Sequence, residues 1–297
     1  MNTIDALNLL VSAILLAGVY AAMSVGMTII YGVMKIVNLA HAGFLMLGAY
    51  FVFELYARFH IDPLLGVLLA FPLFYFVGVA LHWLMIRRIP RSDQPTLTSL
   101  LLLFGVWLVL QNLGYLVWGS GDRAILTPKT FSTFQLGPII FPTVRLVVFG
   151  AAVVSLVALE FVLHNTWFGR AVRALMQNSD AGRIVGVNVD RTARVAFGVG
   201  IAFAGAAGGL LAMMYSFTPD FGGSFLLRAF VIIVLGGLES FSGVAIGALV
   251  LALVETFSIL VIPSGYQPAI AFSLLVVALV LLPNGVAGLW NKRQRWT

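Results

Sequence analysis

Apolar runs that meet or approach the length of a membrane span recur eight times in this chain, at 7–30, 42–59, 63–86, 97–118, 143–163, 193–217, 244–262 and 268–282. A helix needs about 20 mostly apolar residues to cross bilayer hydrocarbon. The chain is 61% hydrophobic and only 9% charged, whereas soluble domains carry about 25% charged residues. Too little polar surface remains to cover such a core in water. The expected fold is an all-α polytopic integral membrane protein forming one domain over residues 1–297, with about 8–9 spans. The ambiguity is 225–235, an apolar stretch too short to be a clear span, bounded by Arg228 and by Gly236-Gly237.

The net charge of +6 does not point to nucleic acid, because the basic residues fall in short clusters between apolar runs. Cytoplasmic connections are enriched in Lys and Arg. Arg87, Arg88 and Arg91 form one cluster; Arg170, Arg173, Arg183, Arg191 and Arg194 form another; Lys292, Arg293 and Arg295 form the third. Placing all three on the cytoplasmic side requires an odd number of crossings after the second cluster, so 225–235 must cross. The same rule puts Lys35 inside, the N-terminus outside and the 119–142 connection outside. The first run is too long for a signal-peptide core and is expected to be a retained helix. With no Cys, disulfides and thiol chemistry are excluded.

Two segments interrupt the apolar pattern. Residues 31–43 bring Gly32, Lys35, Asn38, His41 and Gly43 between two spans, and 226–247 break at Gly236-Gly237 beside Glu239. Each is either a plain turn or a discontinuous helix whose freed backbone lines a path, the device transporters place in both halves of the chain. Glu255 falls inside a span, where a carboxylate is costly unless functional or paired. Candidate path residues are Asn38, His41, Gly43, Gly236, Gly237 and Glu255. Small residues spaced by four, such as Gly18, Ala22 and Gly26, Gly205 and Gly209, or Gly243 and Gly247, suit close packing of helices in lipid.

Residues 164–190 are the least lipid-like part. Ala171 and Leu175 lie near one helical face, Arg170, Arg173 and Gln177 near another, and Asn178-Ser-Asp180 stops one helix and caps the next. A short helix–turn–helix on the cytoplasmic surface is expected, either resting on headgroups or docking a partner.

Three blocks carry a family resemblance: GMTIIYGVMKIVNLAHAGFLMLGAY at 26–50, FGRAVRA at 168–174 with VGVN at 185–188, and AFVIIVLGGLESFSGVAIG at 229–247. They resemble the membrane permease subunits of bacterial ABC importers for branched-chain amino acids. The resemblance implies residence in the bacterial cytoplasmic membrane and three kinds of partner: a second, similar permease, two cytoplasmic ATPases, and a periplasmic or lipid-tethered binding protein. It implies that ATP is used by the partners and that this chain binds no cofactor. It makes 168–188 the segment coupling to the ATPase, with Phe168, Gly169, Arg170, Arg173, Leu175, Gln177, Asn178, Arg183 and Gly186 as its candidate residues and Leu175 on the docking face. Urea and short-amide importers use similar permeases. Glu239 departs from the small residue expected at its position.

Other classes fare worse. The chain has no Gly-Lys dipeptide, hence no phosphate-cradling loop of the usual kind. His41, His60, His82 and His164 lie on separate segments, and no nucleophile–base pair suggests an embedded enzyme. An ion-coupled transporter or channel would need no docking segment.

Overall fold

The computed structural model describes residues 3–91, 95–282 and 285–288; Lys292, Arg293 and Arg295 lie outside the described residues. Among the described residues, eight helices are long and apolar enough to span a membrane. They are α1 (Thr3–Met34), α2 (His41–Phe59), α3 (Pro63–Leu84), α4 (Pro95–Trp118), α5 (Thr143–Asn165), α8 (Val189–Ala212), α10 (Phe241–Ser258) and α11 (Gln267–Leu281). Between α5 and α8 lie two short helices, α6 (Trp167–Gln177) and α7 (Ser179–Ile184), and α9 (Phe221–Gly236) precedes α10. A two-stranded antiparallel hairpin, β1 (Thr133–Leu136) and β2 (Ile139–Pro142), turns at Gly137-Pro138 within the 119–142 connection.

Polar connections show which ends share a face. The side chain of Asn8, near the start of α1, accepts from the Ile140 N–H of the hairpin at 2.9 Å. Arg123 and Phe217 exchange two backbone hydrogen bonds, 2.9 and 2.8 Å, which brings the α8–α9 connection to that same face. At the other face, the Lys35 ammonium pairs with Glu239 in the α9–α10 turn. The 16 residues of α9 therefore run between opposite faces, although at 1.5 Å per residue they span only about 24 Å. With α9 counted, the described helices make nine crossings, and α1 starts on the face opposite to the end of α11.

Burial sorts the helices into two sets. Along α8 almost every side chain from Ala196 to Ala212 is buried, and α1 is buried from Leu15 to Ile30. By contrast α3, α4, α5 and α11 expose large apolar side chains such as Leu68, Phe76, Leu101, Leu116, Phe161 and Val280. A water-soluble monomer does not expose apolar surface on this scale; lipid is a solvent it fits.

The inner set packs backbone to backbone. A Cβ on Gly48 of α2 would lie 1.9 Å from the carbonyl oxygen of Gly205 in α8, and one on Gly208 would lie 1.9 Å from that of Leu45. Gly26 meets Gly200 in the same way, and Gly243 meets Gly236 across the α9–α10 hairpin. Without a hydrophobic drive between helices in lipid, such close approach is what holds them together. The small residues spaced by four thus serve packing within the chain.

Candidate functional site

On the face that carries the β-hairpin, a cleft of about 510 Å³ descends between α1, α5, α9 and α10. Arg228 of α9 and Glu255 of α10 line it, and Tyr20 of α1 joins them. The Arg228 Nε donates to Glu255 Oε1 at 2.8 Å, and the Tyr20 hydroxyl donates to Oε2 at 2.6 Å. Only 11% of the Arg228 side chain and 3% of the Glu255 side chain is exposed. Arg228 Nη1 also donates to the Ser224 carbonyl at 3.2 Å, and the guanidinium lies 5.1 Å from the Phe225 ring centre. A lone charge here would be prohibitive; the antiparallel α9–α10 hairpin neutralises each charge with the other.

Sequence reasoning found Glu255 and missed its partners. It treated Arg228 as a boundary of a short apolar run, whereas Arg228 sits in the second turn of a crossing helix. The parity argument that made this run cross held the missing signal: a crossing Arg needs an acid at matching depth. Nothing in the sequence singles out Tyr20 among neighbouring apolar residues.

The other path candidates lie in the re-entrant segment after α1. Lys35 takes a positive φ of 55°, and residues 35–40 are non-helical. His41 Nε2 then lies 2.9 Å from the carbonyl oxygen of Met23, eleven residues before the end of α1 and so about 16 Å back along its axis. The chain dips into the bundle instead of turning at the surface, so the segment is not a plain surface turn. Both amide atoms of buried Asn38, and Nδ1 of His41, find no hydrogen bond among the described residues. Gly43 packs against Leu110 of α4, Gly236 against Gly243, and Gly237 closes the α9–α10 turn with φ 103°. Glu255 and His41 approach α1 one turn apart, at Tyr20 and Met23.

At the face opposite the β-hairpin, α6 and α7 form the expected helix–turn–helix. The Asn178 side chain accepts from the N–H groups of Asp180 and Ala181, at 2.9 and 3.0 Å. Gly169 lies directly against the Leu163 carbonyl, and Arg173 donates to that same oxygen, capping α5. Phe168 is half-buried. Arg170 stacks on Trp167 at 4.0 Å, Arg183 pairs with Asp180 at 3.8 Å, Gln177 is exposed and Gly186 takes φ 86°.

One expectation is corrected: Leu175 does not face outward. It is 1% exposed and rests on Gly182 of α7, because the apolar stripe Gly169, Val172 and Leu175 turns toward the chain's own helices. The apolar side chains that α6 and its sequel present outward are Trp167, Ile184 and Val185.

Behind α6, Met176 lies over Gly32 of α1, and the Met176 carbonyl accepts from Lys35 at 3.5 Å. Lys35 in turn holds Glu239. The residue that departs from the expected small side chain thus ties the α9–α10 turn to α1 and α6. A cleft of about 1040 Å³ opens here, lined in part by Arg173, Gln177, Glu239 and Gly243.

Residues 9–282 match the family model described as branched-chain amino acid transport system, permease component. The permease protein LivH of the high-affinity branched-chain amino acid transport system of Escherichia coli is 28% identical over 294 residues, 93% of this chain and 94% of the relative. The corresponding BraD of Pseudomonas aeruginosa is 29% identical, covering 95% of each. The ribose import permease protein RbsC of Escherichia coli is 28% identical over 232 residues, 75% of this chain and 70% of the relative. No solved structure matches the chain. With the family model covering nearly the whole length, this multi-pass membrane protein belongs to the permease component family of branched-chain amino acid transport systems.

Proposed function

We propose that the chain is the membrane-spanning permease subunit of an ATP-driven importer for branched-chain amino acids in the bacterial cytoplasmic membrane. The observation that carries this reading is end-to-end similarity to LivH and BraD, both named as permeases of such systems. The chain forms a translocation path with a second, similar permease, which packs against part of the exposed apolar surface. Two cytoplasmic ATPases dock on α6 and α7 and consume the ATP, so this subunit has no ATPase site and binds no cofactor of its own. A periplasmic or lipid-tethered binding protein delivers substrate to the face that carries the β-hairpin.

Transport is alternating access: closure of the ATPases moves α6, and the inner helices rock about a midplane path. The Lys35 contacts give that motion a route from α6 to α1 and to the α9–α10 hairpin. The test is reconstitution in proteoliposomes with and without partners. Leucine should accumulate only when both permeases, the ATPases, loaded binding protein and ATP are present. Accumulation against a gradient by this chain alone would refute the reading.

A further inference from the structure

We propose that Arg228 and Glu255 form an exchangeable binding site for the charged backbone groups of a zwitterionic amino acid. Arg228 takes the carboxylate, Glu255 takes the ammonium, and the apolar side chain lies against Leu16, Phe221, Phe225 and Ile259 of the same cleft. This inference rests on the importer reading and names what that importer recognises within the membrane.

Two observations and two physical arguments converge on it. The pair is reached from a cleft of about 510 Å³, within the roughly 300–1,000 Å³ range of small-molecule sites. Arg228 commits Nε and Nη1, while Nη2 makes no hydrogen bond among the described residues, leaving part of a guanidinium fork for a carboxylate. A buried ion pair is weak evidence of a stabilising role, because well-packed apolar residues of similar volume often replace one without loss. Finally, the pair and the ligand share one charge pattern, a cation and an anion side by side. When each partner turns from the other to one end of the zwitterion, no charge is left bare and the buried site stays neutral. Urea or a short amide has no charges to substitute for the broken pair, so such a site discriminates against them.

The experiment uses the complete complex of both permeases, ATPases and binding protein in proteoliposomes, measuring leucine uptake and ATP hydrolysis together. The double variant R228M/E255L removes both charges and should still assemble. Hydrolysis stimulated by leucine-loaded binding protein should remain within about twofold of wild type, whereas uptake per ATP should fall about 10- to 100-fold, the span of one charge-assisted hydrogen bond. As a second variant, Arg228→Lys keeps the charge and loses the planar fork; its uptake per ATP should fall between those of wild type and the double variant. Unchanged uptake per ATP in the double variant overturns the site and leaves the importer reading intact. A wild-type complex that accumulates no amino acid overturns the importer reading beneath it.

Discussion

Gly208 has no space for a single methyl group. Its Cβ would sit 1.9 Å from the Leu45 carbonyl oxygen, backbone that cannot rotate away as a side chain would. Gly208→Ala should therefore force α2 and α8 apart and destabilise the protein by about 1–3 kcal/mol, as over-packing does. A lower thermal midpoint of the detergent-solubilised protein is the expected result, and an unchanged one would mean that the two backbones are not pinned. Glycines at a spacing of four were legible as packing residues, but not which helix each would touch. Glu255 was legible because a carboxylate contrasts with its apolar run; Arg228 was not, because a charge at one end of a short run reads as an edge. Pairing between helices is a tertiary fact. Only the need to neutralise a buried charge hints at it from the sequence.

At the scale of elements, α6 shows how amphipathicity misleads in a membrane protein. Its apolar stripe looked like a docking face, yet the chain's own bundle claims it first. Two substitutions separate the roles. Ile184→Asp, at an outward apolar position, should leave the permease stable but weaken ATPase capture about 30-fold or more, the cost of losing an interface hot spot. Leu175→Asp should instead lower the yield of folded permease, since it buries a charge. Co-purification of the ATPases, normalised to folded permease, reads both, and equal capture by Ile184→Asp would remove α7 from the interface. The Lys35–Glu239 pair is half-exposed, and such pairs contribute only about 0–1 kcal/mol. Glu239→Gln should accordingly leave the thermal midpoint in place while shifting the complex's unstimulated ATP hydrolysis by up to about fivefold. No shift would show that the α9–α10 turn is uncoupled from α6. The cap at Asn178 follows from a side chain that bonds its own backbone, which is why that helix start was readable. The β-hairpin was not, because its short strands are held by Asn8, far away in sequence.

For the whole molecule, an odd number of crossings puts the two ends on opposite faces, and the Lys and Arg clusters are what assign one face to the cytoplasm. Reporters fused within 119–142 should give a periplasmic signal, and those after Arg91 a cytoplasmic one. A cytoplasmic signal from 119–142 would invert the assignment. The span count was legible because hydropathy reports length, and α9 was the one element whose crossing needed charge parity. The ion pair beneath the outer cleft has an electrical consequence. Arg228 and Glu255 together carry no net charge, and neither does a zwitterion that takes their place. The bilayer's field acts on moving net charge, at about 2.3 kcal/mol per elementary charge for each 100 mV. Leucine should therefore pass this step without current. Proteoliposomes clamped by a potassium diffusion gradient of either sign should take up leucine at the same rate, whereas a dependence on voltage would show that an uncompensated charge travels with it.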